Sequence, residues 1–198
     1  MIHEITKFYD EERGLEYEYR PIEETLTVKE TGDGWIAKYL AQDPIPDPPD
    51  NSDDECFLAH YHRDFTVDPD QISVEDVKAW YRGEEALENY WVFPVKSLIH
   101  GIVHLDIGTD GFAEDPGGWD TSHVGVVCVA KKGKKKEEAE REARLLISDW
   151  NTYLRGDVYL LVVEKYDREK KPIETDITAT IYGYENALQE IEDGGSEV

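Results

Sequence analysis

The side chains able to do chemistry are thinly spread in this chain, and its six histidines come first. His60 and His62 lie two apart in "ECFLAHYHRDF", a run read as a strand, so their imidazoles share a face. His100 and His104 share one only if "SLIHGIVHLDIG" stays extended across Gly101. With Asp106, and with His123 further on, they supply the donor types that zinc or a similar ion takes. An ion held by His60, His62, His100, His104 and Asp106 would activate water for hydrolysis, which is the enzyme reading of the chain. Their spacing contains no HExxH motif, and hydrogen-bonded structural histidines account for the same residues.

Other reactive groups are weaker. Ser97, Ser122, Cys56 and Cys128 lack a G-x-S-x-G elbow, and no P-loop or dinucleotide fingerprint occurs. "GTDGFAEDPGG" is Gly-rich, but Asp110, Glu114 and Asp115 give it a charge that repels phosphate. Asp106, Asp110, Asp115 and Asp120 do not follow EF-hand spacing and read as turn formers. The expectation is a binding protein without catalytic residues, cofactor or bound metal.

Charge is the strongest signal. The 198 residues hold 45 acids and 21 bases, a formal net charge of −24. Residues 1–90 have 24 acids against 8 bases, and residues 91–198 have 21 against 13. From Gln42 to Asp76 there are eleven acids and one base, Arg63, in a Pro-rich setting that neither helix nor strand tolerates. Such a field repels nucleic acid and anionic membrane and steers basic partners inward. A solvated surface explains it most simply. Salt adaptation fits poorly with thirteen lysines against eight arginines and the run "KKGKKK". Nucleic-acid mimicry is the third explanation: duplex DNA carries one charge per about 1.7 Å, so roughly 12 base pairs match this total. On that reading the contact acids are Asp43, Asp47, Asp50, Asp53, Asp54, Glu55, Asp64, Asp68, Asp70, Glu75, Asp76, Glu84, Glu85 and Glu88. The partner would be a basic nucleic-acid-binding protein or nucleoprotein complex, with no direct nucleic-acid binding and no membrane.

The elements that must position these groups follow from periodicity. "TLTVKE" and "GWIAKYL" flank the turn "TGDG" and predict an antiparallel hairpin over residues 24–40. Ser73 caps a helix, with Asp76 three residues on and a break at Gly83. "YWVFPVKSLIHGIVHLDIG" is β-rich, and residues 124–132 form a nearly continuous apolar strand for the centre of a sheet. Ala139, Ala143, Leu146, Ile147, Trp150 and Leu154 draw an apolar stripe on a helix from Lys136 to near Gly156. The lysines at 131, 132, 134, 135 and 136 then belong to a strand exit and turn, where they neutralise neighbouring carboxylates. Strands at 156–167 and around "TDITATIYGY" and a closing helix over "ENALQEIEDG" complete the pattern. The class is α+β: a mostly antiparallel sheet with two or three helices on one face, in one domain over residues 1–198. The alternative is a subdivision into an acidic N-terminal segment, residues 1–90, and an α+β core, residues 91–198. Cys56 and Cys128 read as reduced thiols, and with no signal peptide or apolar span the expected location is the cytoplasm, here of a host cell.

One resemblance covers residues 33 to 191. "GDGWIAKY", "DNSDDECFLAHYHRDF", the His-Gly-Ile at His100, "WDTSHVG" at Trp119 to Gly125, "YLRGDVYLLVVEK" and "IYGYENALQEI" occur in that order. The chain thereby resembles a family of uncharacterised acidic proteins carried by bacteriophages and mobile elements. In that family a Trp-Asp-Ser stands where this chain has Trp119, Asp120 and Thr121, and a Ser/Thr-rich stretch replaces "DIGTDGFAEDPGG". The resemblance implies genetic company in which small acidic proteins often block host defence, as anti-CRISPR or anti-restriction DNA mimics; a soluble phage accessory or structural protein is the plainer implication. Trp119, Asp120 and Gly125 are expected to shape a tight turn into the central strand, Asp120 accepting backbone N–H groups and Trp119 packing on the sheet.

Overall fold

The computed structural model describes residues 6–10, 15–49, 55–61, 73–83 and 87–193. In chain order the described elements are β1 (Thr6–Asp10), β2 (Leu15–Tyr19), β3 (Thr27–Glu30), β4 (Gly34–Gln42), β5 (Cys56–His60), α1 (Val74–Arg82), β6 (Tyr90–Ile99), β7 (Val103–Ile107), β8 (Thr121–Ala130), α2 (Lys136–Leu154), β9 (Val158–Asp167), β10 (Pro172–Tyr182) and α3 (Tyr184–Asp193). The class is α+β, with the larger sheets antiparallel and three helices packed against them. The chain forms two compact units: residues 1–47 together with 156–198, and residues 48–155. The strand, helix, strand, strand, helix run of residues 124–193 is therefore shared between two sheets instead of building one. Residues 90 and 91, where the acid content drops, both lie in β6.

In the first unit β1 and β2 pair as a hairpin, and a four-stranded sheet runs in the order β10-β9-β4-β3. The predicted hairpin over 24–40 is β3 and β4, closed by the Thr31 N–H to Gly34 C=O bond of 2.8 Å. Gly34 is required where β4 meets β9, since a Cβ there would stand 1.9 Å from the Tyr166 carbonyl oxygen. Both central strands are apolar on both faces, as burial on two sides demands. Leu40 and Leu161 pack under Ala187 of α3, while Tyr39, Ala41, Leu160 and Val162 take Tyr19 of β2 on the other face.

In the second unit the sheet order is β5-β8-β6-β7, with β8 interior and buried from Val124 to Ala130. Helix α2 lays the predicted stripe, Ala139, Ala143, Ile147 and Trp150, on Leu58, Val95, Leu105, Val127 and Val129. Helix α1 covers the opposite face through Val77 on Ala59, Val126 and Cys128. Its caps are those expected: Ser73 Oγ accepts the Asp76 N–H at 3.2 Å, and Gly83 ends it at φ 67°, a left-handed conformation that glycine adopts without penalty. Cys56 and Cys128 are not in a disulfide, and burial pushes the Cys128 thiol up to about 12.

Gly125 lies inside β8, not in a turn as expected. Its α-carbon passes so close to β5 that a Cβ would stand 2.1 Å from the Ala59 carbonyl oxygen. The adjacent pairing slips by one residue, Val95 opposite Gly125 but Lys96 opposite His123, so β8 carries a bulge at Val124. That bulge lets Val124 face α2 while His123 and Lys96 face the other way.

Candidate interaction surface

The second unit brings its polar side chains together at the β7 end of the sheet. Lys96 is the odd residue of β6: a cation in an apolar strand, with its side chain only 8% exposed. Its ammonium lies 3.4 Å from Asp106 Oδ2, donates to the Gly111 carbonyl at 3.4 Å and sits 4.5 Å above the Phe112 ring. Asp106 also accepts the Ile107 N–H at 2.8 Å and stands 3.5 Å from Arg144 of α2, so this carboxylate joins β6, β7 and α2. His104, two residues before it on the same face, meets Phe112 edge-on at 5.9 Å. A cavity of about 510 Å³ opens here, lined by Lys96, Leu98, His104, Asp106, Phe112 and Glu114.

Residues 108–120 then return the chain to β8, and Asp115 organises them. Its carboxylate accepts the Trp119 N–H at 3.1 Å, the Asp120 N–H at 2.9 Å and the Thr121 hydroxyl at 2.8 Å. Burial pushes this carboxyl upward, but the Thr121 hydroxyl and the N–H groups of Asp120, Trp119 and Thr121 outweigh it and hold it below the usual carboxylate range. The role expected of Asp120 thus belongs to Asp115. An Asp followed by Pro-Gly-Gly, whose backbone folds back on the carboxylate, was the signal in the sequence. Asp120 instead faces His100 across the β6–β7 turn, Nδ1 to Oδ2 3.1 Å.

Trp119 does not pack on the sheet. With both its own N–H and that of Asp120 held by Asp115, the indole is turned outward and lies over Gly117, where a Cβ would stand 2.4 Å from its Cδ1. It is 90% exposed. Beside it the β6–β7 turn, closed through Gly101 at φ 80°, leaves Ile102 58% and Ile99 40% exposed. The Ile99 N–H to Asp120 carbonyl bond of 3.0 Å joins the turn to the loop.

The histidines proposed as ligands do not converge. His60 lies on the α2 face of β5, edge-on to Trp150 at 5.9 Å, whereas His104 and Asp106 lie on the other face of β7. His100 is engaged with Asp120, and His123 Nδ1 with the Tyr81 hydroxyl at 2.7 Å. His62 lies outside the described residues. Among those described, no three His, Cys, Asp or Glu side chains come together as a metal site. Strand alternation in β5 and β7 puts His60 and His104 on opposite faces, and the bulge in β8 turns His123 to the α1 side.

The acids proposed for partner contact divide similarly. Asp50, Asp53, Asp54, Asp64, Asp68, Asp70, Glu84 and Glu85 lie outside the described residues. Asp43 is buried in the first unit, its Oδ1 accepting the Ile45 N–H at 2.9 Å, so it shapes a turn. Asp47 is exposed in that unit. In the second unit Glu75, Asp76 and Glu88 are exposed, while Glu55 bridges Lys132 and Lys134. The basic run is largely occupied by its own neighbours: Lys134 also bonds Glu142 at 2.7 Å, and Lys131 donates to the Glu88 carbonyl at 2.8 Å above the Trp91 ring. Residues 48–90 hold 12 acids against 3 bases, and residues 91–155 hold 10 against 9. No protein-family model, curated protein or solved structure matches the chain.

Proposed function

We propose that this chain is a non-enzymatic binding protein whose acidic surface occupies a cation-lined, nucleic-acid-binding site on a partner. With the phage and mobile-element company its sequence resembles, that partner is a host-defence effector, a CRISPR or restriction enzyme. One observation carries the reading: 45 acids face 21 bases, and within the basic run of residues 131–136 Lys131, Lys132 and Lys134 are already engaged by the Glu88 carbonyl, Glu55 and Glu142. Both units share the surplus, with 23 acids against 9 bases in residues 1–47 and 156–198, and 22 against 12 in residues 48–155. An uncompensated charge of this size raises encounter rates with basic surfaces and opposes nucleic acid.

The test titrates the purified protein into CRISPR effector and restriction-enzyme complexes loaded with fluorescent duplex DNA. The expected result is release of the duplex, weakening as salt rises because the competing contacts are electrostatic. A panel from which no duplex is displaced at any salt concentration overturns the reading.

A further inference from the structure

We infer that the cavity walled by β6, β7 and residues 111–114 is a binding site for a free basic α-amino acid, lysine or arginine. The site goes beyond the acidic-binding reading and stands or falls separately from it.

The floor of the cavity is two cross-strand pairs, Lys96 opposite Asp106 and Leu98 opposite His104, and its cover is the loop through Gly111, Phe112, Ala113 and Glu114. At about 510 Å³ it falls in the range of about 300–1,000 Å³ that small-molecule sites occupy. Three observations select the ligand. The first is Lys96, a buried ammonium with three donors, to which the protein offers two oxygen acceptors, Asp106 Oδ2 and the Gly111 carbonyl, each at 3.4 Å. A tight ammonium–carboxylate pair closes to about 2.7–2.9 Å, so donor capacity is left over for a ligand carboxylate. The second is spacing. A cation and a carboxylate 3.4 Å apart in one cavity match, with signs exchanged, the adjacent ammonium and carboxylate of an α-amino acid. The ligand carboxylate goes to Lys96 and its α-ammonium to Asp106, with Leu98 and Phe112 beside the aliphatic stem of its side chain.

Glu114 is the third. Its carboxylate lines the cavity and has no hydrogen-bond or ion-pair partner among the described residues. With histidine counted neutral, the site presents one cation and two carboxylates, Lys96 against Asp106 and Glu114. Lysine and arginine present two cations and one carboxylate, the complementary set. A neutral side chain leaves Glu114 uncompensated, and an acidic one sets a further carboxylate against it. The protein's charge of −24 favours the same +1 ligand. The cover is also fixed in advance: Asp115, next to Glu114, accepts three hydrogen bonds from residues 119–121, so little order remains for binding to impose.

The experiment is isothermal titration calorimetry of the full chain with lysine, arginine, leucine, glutamate and lysine methyl ester, in about 0.15 M salt, where exposed charges are screened beyond about 8 Å. Lysine or arginine should bind saturably at one site per chain, leucine at least tenfold more weakly, and glutamate and the ester not measurably. Glu114→Gln removes a charge without a partner, so the thermal midpoint should stay in place while lysine affinity falls at least tenfold and its preference over leucine shrinks. Lys96→Met combined with Asp106→Ala should abolish binding, with the thermal midpoint reporting whether this variant folds; Glu114→Gln keeps the test decisive if it does not. Absence of saturable binding by lysine and arginine, tighter binding of leucine or glutamate, or an ester that binds like the free acid overturns the proposal. So does lysine binding that Glu114→Gln leaves unchanged, since the ligand would then be drawn to the acidic surface at large.

Discussion

Lys96 is a buried cation, an ammonium withdrawn from water between Asp106, the Gly111 carbonyl and the Phe112 ring. Removing a partner from such a group costs more than removing the pair. Asp106→Ala should therefore destabilise by about 1–2 kcal/mol, less than a fully buried pair because Asp106 is partly exposed. Lys96→Met in the Asp106→Ala background should restore most of that loss, and urea unfolding of the four members of the cycle measures the coupling. Asp115 supplies a pH signature. Its folded-state carboxyl titrates below its ordinary value of 3.8, so its stabilisation is complete above that value and is lost as pH falls through the lower, folded one. Asp115→Asn should flatten this acid limb and expose the 108–120 loop to protease at neutral pH, read by limited proteolysis across a pH series. The Pro-Gly-Gly after Asp115 marked it among the four aspartates of that loop, whereas nothing in the order of residues marked Lys96; what distinguishes Lys96 is the set of groups that folding brings to it.

At the scale of elements, the exposed side of β7 shows how the fold closes an open sheet edge. The Asn151 side chain of α2 accepts the Leu105 N–H at 2.7 Å and donates to the Leu105 carbonyl at 2.9 Å, standing in for a neighbouring strand. An edge with free N–H and C=O groups invites strand addition from another chain. Asn151→Leu should cost about 2–3 kcal/mol, since two buried backbone groups lose their partners. It should also speed exchange of the Leu105 amide, and hydrogen exchange followed by mass spectrometry reads that directly. Helix α2 itself was readable in full, because a stripe at intervals of three and four survives any tertiary arrangement. Asn151 was not, since it sits within that stripe and its partner is an edge strand 46 residues earlier.

For the whole molecule the governing quantity is −24. Like charges confined to a compact chain repel, and salt screens that repulsion over about 10 Å at 0.1 M. The thermal midpoint should rise with added sodium chloride, and calorimetry at low and high salt measures it; a midpoint that falls would mean that local ion pairs such as Lys134–Glu142 outweigh the net field. Among the described residues no helix is long and apolar enough to cross a membrane. The amino-acid order by itself determined the α+β class, the caps of α1, the stripe of α2, the buried run of β8 and the charge, because each is a local pattern or a sum that no partner can change. Only the tertiary structure decided that the strands belong to two sheets, that the bulge at Val124 turns His123 to the α1 side, that Lys132 and Lys134 spend their charge on Glu55, and that Trp119 is exposed. Those outcomes depend on strand pairing between distant segments, and a single-residue slip in register sends every later side chain to the opposite face.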